Sequence, residues 1–317
     1  MRRRERALCF TAAAVPVLQL CPGLGWLPAV AGGACAALLL YICTRLLGPK
    51  GLSEAARWPA GRVASALLAA ALAGLAVWSA RQGEYAFPQT AGKPLPAVLL
   101  LILAWAAVRR GREVPARCAG VLLPILAALC GFVLAFSLPQ IRLAWLRPTW
   151  STPKALRACG ALLLPGAVLC LPSSEERKGV PVSALAAALA AAVTAALTAG
   201  TLSPALAQGP AAFWSLSRSV SVLGVVRRFE ALVSAALLIG SFSLSALLLN
   251  AARCMLDRLA PKKAKQLSEL ALPILLALVC LPGADLLSAC GTAGMIGGVF
   301  CVLIQRAGGK KQSQKII

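Results

Sequence analysis

Long uncharged runs of apolar residues recur along the whole chain, and short segments rich in arginine and lysine separate them. A helix needs about 20 apolar residues to cross a bilayer core, and lipid offers an unpaired backbone no hydrogen-bond partner. The pattern therefore predicts an all-α integral membrane protein. The approximate span cores are 7–22, 26–44, 63–80, 95–108, 118–136, 158–171, 181–200, 229–252, 267–282 and 286–305. Several cores are short, which predicts that some of these ten spans are broken or re-entrant.

Two of the ten predicted spans, the first and the sixth, look discontinuous. The first span contains Pro16, and the sixth contains Gly160 followed by Pro165 and Gly166. Proline removes a backbone donor and clashes one turn back, and glycine tolerates the opened geometry. We therefore expect both spans to be interrupted, although kinks in otherwise ordinary helices are an alternative.

The two interrupted spans lie five apart, each at the start of a five-span half. Matched interruptions of this kind point to a binding site near the membrane midplane of an inverted-repeat transporter fold. We therefore predict one polytopic domain over residues 1–317, with a first repeat of about 1–136 and a second of about 155–305. Residues 306–317 form the C-terminal tail.

An amphipathic stretch over residues 208–228 leads into the eighth span, and we expect it to lie at a membrane surface. The span itself carries Gly240, Ser243 and Asn250 on one helical face. These polar side chains either line a cavity or hydrogen-bond to a neighbouring helix.

The net charge of +22 comes from basic residues in the short loops. Ten spans with a cytoplasmic N-terminus place 23 of the 32 Lys and Arg residues in the cytoplasm and 9 outside, as the positive-inside rule expects. Both termini are then cytoplasmic, and residues 208–228 lie outside. The N-terminus resembles a signal peptide, but we interpret it as a retained first span. Membrane lipid is the expected partner of the basic loops, and nucleic acid is not expected because no soluble domain carries a basic face.

The chain carries no recognisable catalytic or metal-binding pattern. Histidine is absent, and the 12 cysteines form no CxxC pair. We therefore expect neither an enzyme, a cofactor, a metal site nor a disulfide framework. No ionisable residue lies deep in a predicted span, which weakens the case for proton coupling.

Two segments carry a resemblance to a known family. In residues 109–126 the matching positions are Gly111, Glu113, Val114, Arg117, Ala119 and Pro124. In residues 213–252 they are Arg218, Ser219, Ser221, Val222, Arg228, Glu230, Ala231, Gly240 and Phe242. Smaller matches are Trp26, Leu27, Glu84, Pro88 and Thr90. These segments resemble the spore germination permease family, the GerAB-type B subunits of germinant receptors.

This resemblance implies a ten-span fold of the amino acid/polyamine/organocation superfamily, LeuT-like, with broken first and sixth spans. It also implies a protein of the cell membrane or spore inner membrane that binds a small germinant, with an amino acid as the expected ligand. A-type and C-type receptor subunits are the implied partners.

Our preferred hypothesis is a receptor-like permease subunit that binds a nutrient and signals germination. A secondary amino-acid transporter, with a sodium site near Ser241, Ser243 or Ser245, is the alternative, and a structural subunit without a ligand is the third. The candidate ligand-binding residues are Thr11, Ala13, Pro16, Gly160, Pro165, Gly166, Ser243 and Asn250. The candidate gate or signature residues are Glu84, Arg117, Arg218, Arg228 and Glu230. Arg218 has two possible acidic partners, Glu84 and Glu230, and the sequence leaves that choice open.

Overall fold

The computed structural model describes residues 2–47, 51–86, 94–111, 113–146, 149–171, 179–202, 204–207, 212–219, 230–261, 272–279 and 286–313. Within these ranges the secondary structure is helical with no strand, which confirms the all-α class. Seven helices of the described chain are long and apolar enough to cross a membrane. Each of the ten predicted cores overlaps a described helix.

We number the α-helices in chain order. They are α1 (Arg2–Val15), α2 (Cys21–Leu24), α3 (Trp26–Leu47), α4 (Pro59–Gln82), α5 (Leu95–Arg110), α6 (Val114–Ser137), α7 (Thr152–Leu163), α8 (Val180–Thr201), α9 (Pro204–Ala207), α10 (Ala212–Ser219), α11 (Glu230–Leu259), α12 (272–279) and α13 (Leu286–Ser313). Short 3₁₀ helices lie at Leu52–Arg57, Gly83–Ala86, Leu138–Gln140, Leu143–Trp145 and Leu164–Cys170.

The first predicted span is interrupted at the proline that the sequence singles out. The α-helical pattern ends at Val15, and Pro16–Leu20 forms a π-helix in which the Cys21 N–H donates to the Pro16 carbonyl. Proline cannot donate the bond that would continue the α-helix, so the backbone widens at this point. The helix resumes as α2 and turns at Gly25, whose φ of 90° lies in the region that favours glycine.

The sixth predicted span changes its helical type at the second interruption. Helix α7 ends at Leu163, and Leu164–Cys170 continues as a 3₁₀ helix with Pro165 in its first turn. The Leu171 N–H donates to the Val168 carbonyl at 3.0 Å and closes this segment. The prolines thus mark both interruptions, as predicted.

Helix α11 lies at the centre of the bundle and packs on α4 through serine hydroxyls. Ser79 Oγ on α4 donates to the Ser241 carbonyl at 3.3 Å, and Ser245 Oγ on α11 donates to the Ala76 carbonyl at 3.1 Å. Beyond the end of α4, Ser234 Oγ donates to the Ala86 carbonyl at 2.6 Å. Hydrogen bonds of this kind stabilise helix pairs in the absence of a hydrophobic driving force.

Two arginines at the ends of the central helices cap other helices. Arg81 Nη2 donates to the carbonyls of Leu278 (3.0 Å) and Val279 (2.7 Å), at the end of α12. Arg253 Nη1 donates to the Val108 carbonyl at 2.6 Å, near the end of α5. The Arg253 guanidinium joins the Gly111 N–H at the Val108 carbonyl and complements the negative end of the α5 dipole.

The peripheral helices α6 and α13 present apolar side chains outward, as lipid-facing helices do. The exposed residues include Val121, Ile125, Phe132, Met295, Ile296, Val299, Phe300 and Leu303. Together with the apolar helices, this surface identifies an integral membrane protein.

Candidate functional site

The part of the first span that precedes its break and the second break both line a small cavity inside the bundle. Its walls come from α1, α3, α7, the 3₁₀ helix at Leu164–Cys170 and the start of α8. The lining residues are Cys9, Ala13, Leu40, Leu162, Pro165, Gly166, Val180, Ser183, Ala184 and Ala187. The space holds about one water molecule. A larger occupant therefore requires the lining elements to move apart, so the conformation is a closed one.

Close contacts between the lining residues account for the small volume. Cys9 Sγ lies 4.0 Å from the Pro165 carbonyl oxygen, so α1 and the second interruption touch directly. A Cβ on Gly166 would lie 2.5 Å from Leu40 Cδ2, which is closer than atoms can approach. Glycine at this position therefore lets Leu40 close the wall beside the break.

The cavity wall is apolar apart from a few weakly polar groups. The Ser183 hydroxyl donates to the Val180 carbonyl at 2.8 Å, and the Cys9 thiol faces the Pro165 carbonyl. No Asp, Glu, Lys or Arg is among the described lining residues. The wall is thus suited to a small solute without net charge.

Three of the eight candidate ligand-binding residues line this cavity together. Ala13 comes from the first span, and Pro165 and Gly166 come from the sixth. Pro16 is buried one helical turn beyond Ala13, where it opens the π-helix. The structure therefore brings the last turns of α1, just before the first break, and the second break to the same cavity.

Two further candidates lie elsewhere in the same spans. Thr11 is buried, but its hydroxyl donates within its own helix to the carbonyls of Ala7 (2.9 Å) and Leu8 (3.2 Å). A Cβ on Gly160 would meet no atom within 4 Å, so this position faces open space and not the cavity.

Ser243 and Asn250 are both buried on α11, and neither lines the cavity. One turn before Ser243, a Cβ on Gly240 would lie 3.0 Å from Ala14 Cβ and 3.4 Å from Val15 N. Helix α11 thus touches the first span immediately before its break. The Ser243 hydroxyl is buried there without a hydrogen-bond partner among the described residues.

Several lining residues are absent from the predicted set. Cys9 lies one turn before Ala13 on the same face of α1, and that spacing is the signal that identifies it. Ser183, Ala184 and Ala187 lie in an alanine-rich helix whose sequence shows no preferred face. Only the packing of α8 against the breaks identifies these three residues.

Helix α10 forms part of the amphipathic stretch predicted over residues 208–228, of which 208–211 and 220–228 lie outside the described residues. It buries Phe213 and Leu216 and is tied to the start of α11 by an ion pair, with Arg218 Nε 3.1 Å from Glu230 Oε1. The Arg218 guanidinium also lies 5.0 Å from the Trp214 ring centroid. The open choice is thereby resolved, because Arg218 pairs with Glu230.

The other signature residues lie apart from the cavity. Arg117 Nη2 pairs with Glu113 Oε2 at 2.7 Å, an exposed pair four residues apart at the start of α6. Glu84 lies in the 3₁₀ helix after α4, where burial raises the pKa of its carboxyl and the charge of Arg81 opposes the rise. Arg228 lies outside the described residues.

No protein-family model matches the chain, and no curated protein matches it. Twenty-six chains of solved structures do match. One of them is Mhp1, a nucleobase-cation-symport-1 family transporter, in a closed conformation with bromovinylhydantoin bound. The likeness has a TM-score of 0.61 at 15% sequence identity, and it covers 94% of this chain and 76% of that one. At this identity the likeness shows the fold alone, so the protein is an integral membrane protein that shares the fold of this solved transporter.

Proposed function

We propose that the protein is a secondary transporter that moves a small organic solute by alternating access around the cavity between its first and sixth spans. The observation that carries this proposal is the meeting of Ala13, Pro165 and Gly166 in one cavity. Irregular backbone is tolerated at membrane depth where it lines such a cavity. The likeness to a solved transporter supports the same function at the level of the fold.

The expected solute is small and carries no net charge, such as a zwitterionic amino acid or a neutral nucleobase. The lining is apolar, and Ser183, Cys9 and the freed backbone groups of the breaks supply its polar contacts. A solute with an unpaired charge would meet no compensating side chain among the described lining residues.

Sodium coupling is the mode that the polar groups favour. The Ser243 hydroxyl lies one turn beyond Gly240, which touches the span immediately before the π-helix. At such a position a sodium ion can be coordinated by the hydroxyl oxygen and by backbone carbonyl oxygens that the broken helix leaves free. The similar solved protein is by its own family name a cation symporter.

The arginine caps support the ten-span, 5+5 inverted arrangement, and the distribution of Lys and Arg residues supports a cytoplasmic N-terminus. Arg81 at the end of the third predicted span caps the ninth, and Arg253 at the end of the eighth caps the fourth. In a 5+5 repeat the third span corresponds to the eighth and the fourth to the ninth. The cap from the third span to the ninth then corresponds to the cap from the eighth span to the fourth. The two equivalent caps lie at opposite faces of the membrane.

A second candidate function is the permease-like subunit of a germinant receptor, which binds an amino acid and signals to A-type and C-type subunits. The resemblance carried by residues 213–252 favours it, and the pairing of Arg218 with Glu230 joins two of the matching positions. Such a subunit would use the same cavity for binding without net transport.

Uptake by proteoliposomes tests the transporter proposal. The probes are neutral L-amino acids, uracil and hydantoin, each with and without an inward sodium gradient. We expect concentrative, sodium-dependent uptake of at least one probe, and we expect Ser243→Ala to lose the sodium dependence. Ser245→Ala is the matched control, because its hydroxyl already donates to Ala76. Saturable binding without uptake would favour the receptor. The absence of both binding and uptake would overturn both candidate functions.

A further inference from the structure

A second group of buried polar atoms lies along the first span, beyond the cavity. We call it the Gln19 junction and define it by Gln19, Ser79, Gln82, Gly83 and Ser241. It joins the π-helix of the first span, the end of α4 and the middle of α11. None of these residues lines the cavity.

Gln19 is buried, and only one end of its amide is satisfied. Its Nε2 donates to the Gln82 carbonyl at 2.8 Å, but its Oε1 has no hydrogen-bond partner in the part of the chain that the structure describes. Only 6% of the residue is exposed. A buried carbonyl oxygen that has lost its water and gained no partner destabilises the fold, and an apolar side chain would avoid that cost.

A second buried oxygen without a partner among the described residues, on α11, lies beside the end of α4. Ser241 is completely buried, and its Oγ has no hydrogen-bond partner within the described ranges. A Cβ on Gly83 would lie 3.6 Å from Ser241 Cβ, and Ser79 Oγ donates to the Ser241 carbonyl. Gln19 and Ser241 therefore approach adjacent residues, Gln82 and Gly83, from two different helices.

The Gln19 junction lies farther along the first span than the cavity, where a solute that enters from outside would pass. Gln19 follows Ala13 by six residues, or roughly 9 Å along a helix, in the direction away from the N-terminus. With a cytoplasmic N-terminus, the junction lies between the cavity and the outer surface. π-Turns in α-helices occur frequently at functional sites, and Gln19 belongs to one.

We propose that the Gln19 junction is an outer recognition subsite, in which Gln19 Oε1 and Ser241 Oγ accept hydrogen bonds from an N–H group of the solute. This inference rests on the proposed transport function and names the solute chemistry that the transporter selects. In the closed conformation the Gln19 amide is held by Gln82. In the outward-open conformation the amide turns to the solute, and the two free oxygens favour a solute with N–H donors over its N-methylated analogue.

The test compares probes that differ only in their N–H groups. Competition against uptake is measured for uracil with 1,3-dimethyluracil and for L-alanine with N,N,N-trimethyl-L-alanine, which keeps the positive charge and has no N–H. We expect the wild-type protein to prefer the N–H form by about tenfold or more, since the methylated form leaves buried acceptors unpaired. Gln19→Leu and the milder Ser241→Ala should reduce that ratio several-fold through KM, with kcat largely retained.

Two matched controls separate recognition from stability. Gln305 Nε2 donates to the Gly51 carbonyl, and its Oε1 is likewise buried without a partner among the described residues, so Gln305→Leu removes the same kind of bond elsewhere. Ser245→Ala removes a serine hydroxyl that is already bonded. Both controls should keep the wild-type ratio. An unchanged ratio in Gln19→Leu and Ser241→Ala, or an equal loss in Gln305→Leu, would overturn the inference and leave transport standing. Failure of the wild-type protein to take up any probe would overturn the proposed function itself.

Discussion

Cys9 Sγ lies 4.0 Å from the carbonyl oxygen of Pro165, although 156 positions of sequence separate the two residues. Cys9 belongs to the helix that precedes the first break, and Pro165 opens the second. This contact places α1 against the second irregular segment of the bundle. It also closes the cavity between them, so the backbone must move here before a solute can bind.

Gly240 is expected to be intolerant of larger side chains. A Cβ there would lie 3.0 Å from Ala14 Cβ and 3.4 Å from Val15 N, so Gly240→Leu overpacks the contact between α11 and the first span. We expect a loss of about 1–3 kcal/mol in the free energy of unfolding and a fall in uptake. Thermal unfolding in detergent and proteoliposome uptake measure the two effects.

Gly298→Leu is the matched control for this substitution. Gly298 lies in α13, where an added Cβ meets no atom within 4 Å. This variant should unfold at the wild-type temperature and transport normally. Equal stability of the two variants would contradict the close approach of α11 to the first break.

The arginine caps predict two additive losses of stability. Arg81→Ala removes bonds to the carbonyls of Leu278 and Val279, and Arg253→Ala removes a bond to Val108. Hydrogen bonds from a charged donor contribute about 1.5–3 kcal/mol, and each variant should lose an amount of that order. Chemical unfolding of the single and double variants measures the change.

The double variant should lose the sum of the two single losses, because the caps are far apart. Arg81 lies two residues after Ser79, whose hydroxyl donates to the Ser241 carbonyl on α11. Arg253 lies 12 residues beyond Ser241, which is roughly 18 Å along α11. Sites this far apart contribute additively to stability. Arg81→Lys should recover only part of the loss, since one ammonium cannot reproduce the fork that reaches two carbonyls. A double variant no worse than either single one would contradict two independent caps.

Glu84 predicts a pH dependence of stability with a definite sign. Burial raises the pKa of its carboxyl above the ordinary 4.5, against the opposing charge of Arg81. The folded state therefore holds the proton more tightly than the unfolded state. Stability from this group is fully present below pH 4.5 and falls as the pH rises through the folded pKa.

Glu84→Gln removes this titration and provides the measurement. Relative to wild type, the variant should gain stability as the pH is raised above 4.5, and the difference should level off at neutral pH. Unfolding midpoints of both proteins across pH 4–8 test the expectation. A variant that loses stability relative to wild type over this range would show that the carboxylate is stabilised by its surroundings.

The two interruptions were predictable from local chemistry. Pro16 and Pro165 each lack the donor that an α-helix requires, and this property does not depend on tertiary context. The burial of Phe213 and Leu216 on α10 was also predictable, because these apolar positions lie three residues apart among serines and Arg218. The pairing of Arg218 with Glu230 was not, because the sequence offered two acidic partners and only packing selects one.

The sequence does not identify which residues of α8 line the cavity. Helix α8 is nearly uniform in alanine, so its pattern identifies no inward face, and Ser183 becomes a lining residue only through its packing against the breaks. Thr11 and Gly160 show the converse. Each is a plausible ligand-binding residue type in a plausible place, but Thr11 bonds within its own helix and Gly160 faces open space.

Solute binding to Gly166 variants tests most directly whether the cavity between the first and sixth spans is the solute-binding site. A Cβ at Gly166 would lie 2.5 Å from Leu40 Cδ2, so Gly166→Leu fills the cavity, and Gly166→Ala crowds it. Gly131→Leu, at a position where an added Cβ meets nothing within 4 Å, is the control. The measurement is equilibrium binding, to the purified and folded variants, of the probe that the wild-type protein takes up. We expect wild-type affinity for Gly131→Leu, weaker binding for Gly166→Ala and no detectable binding for Gly166→Leu. Wild-type affinity in a folded Gly166→Leu variant would contradict this expectation.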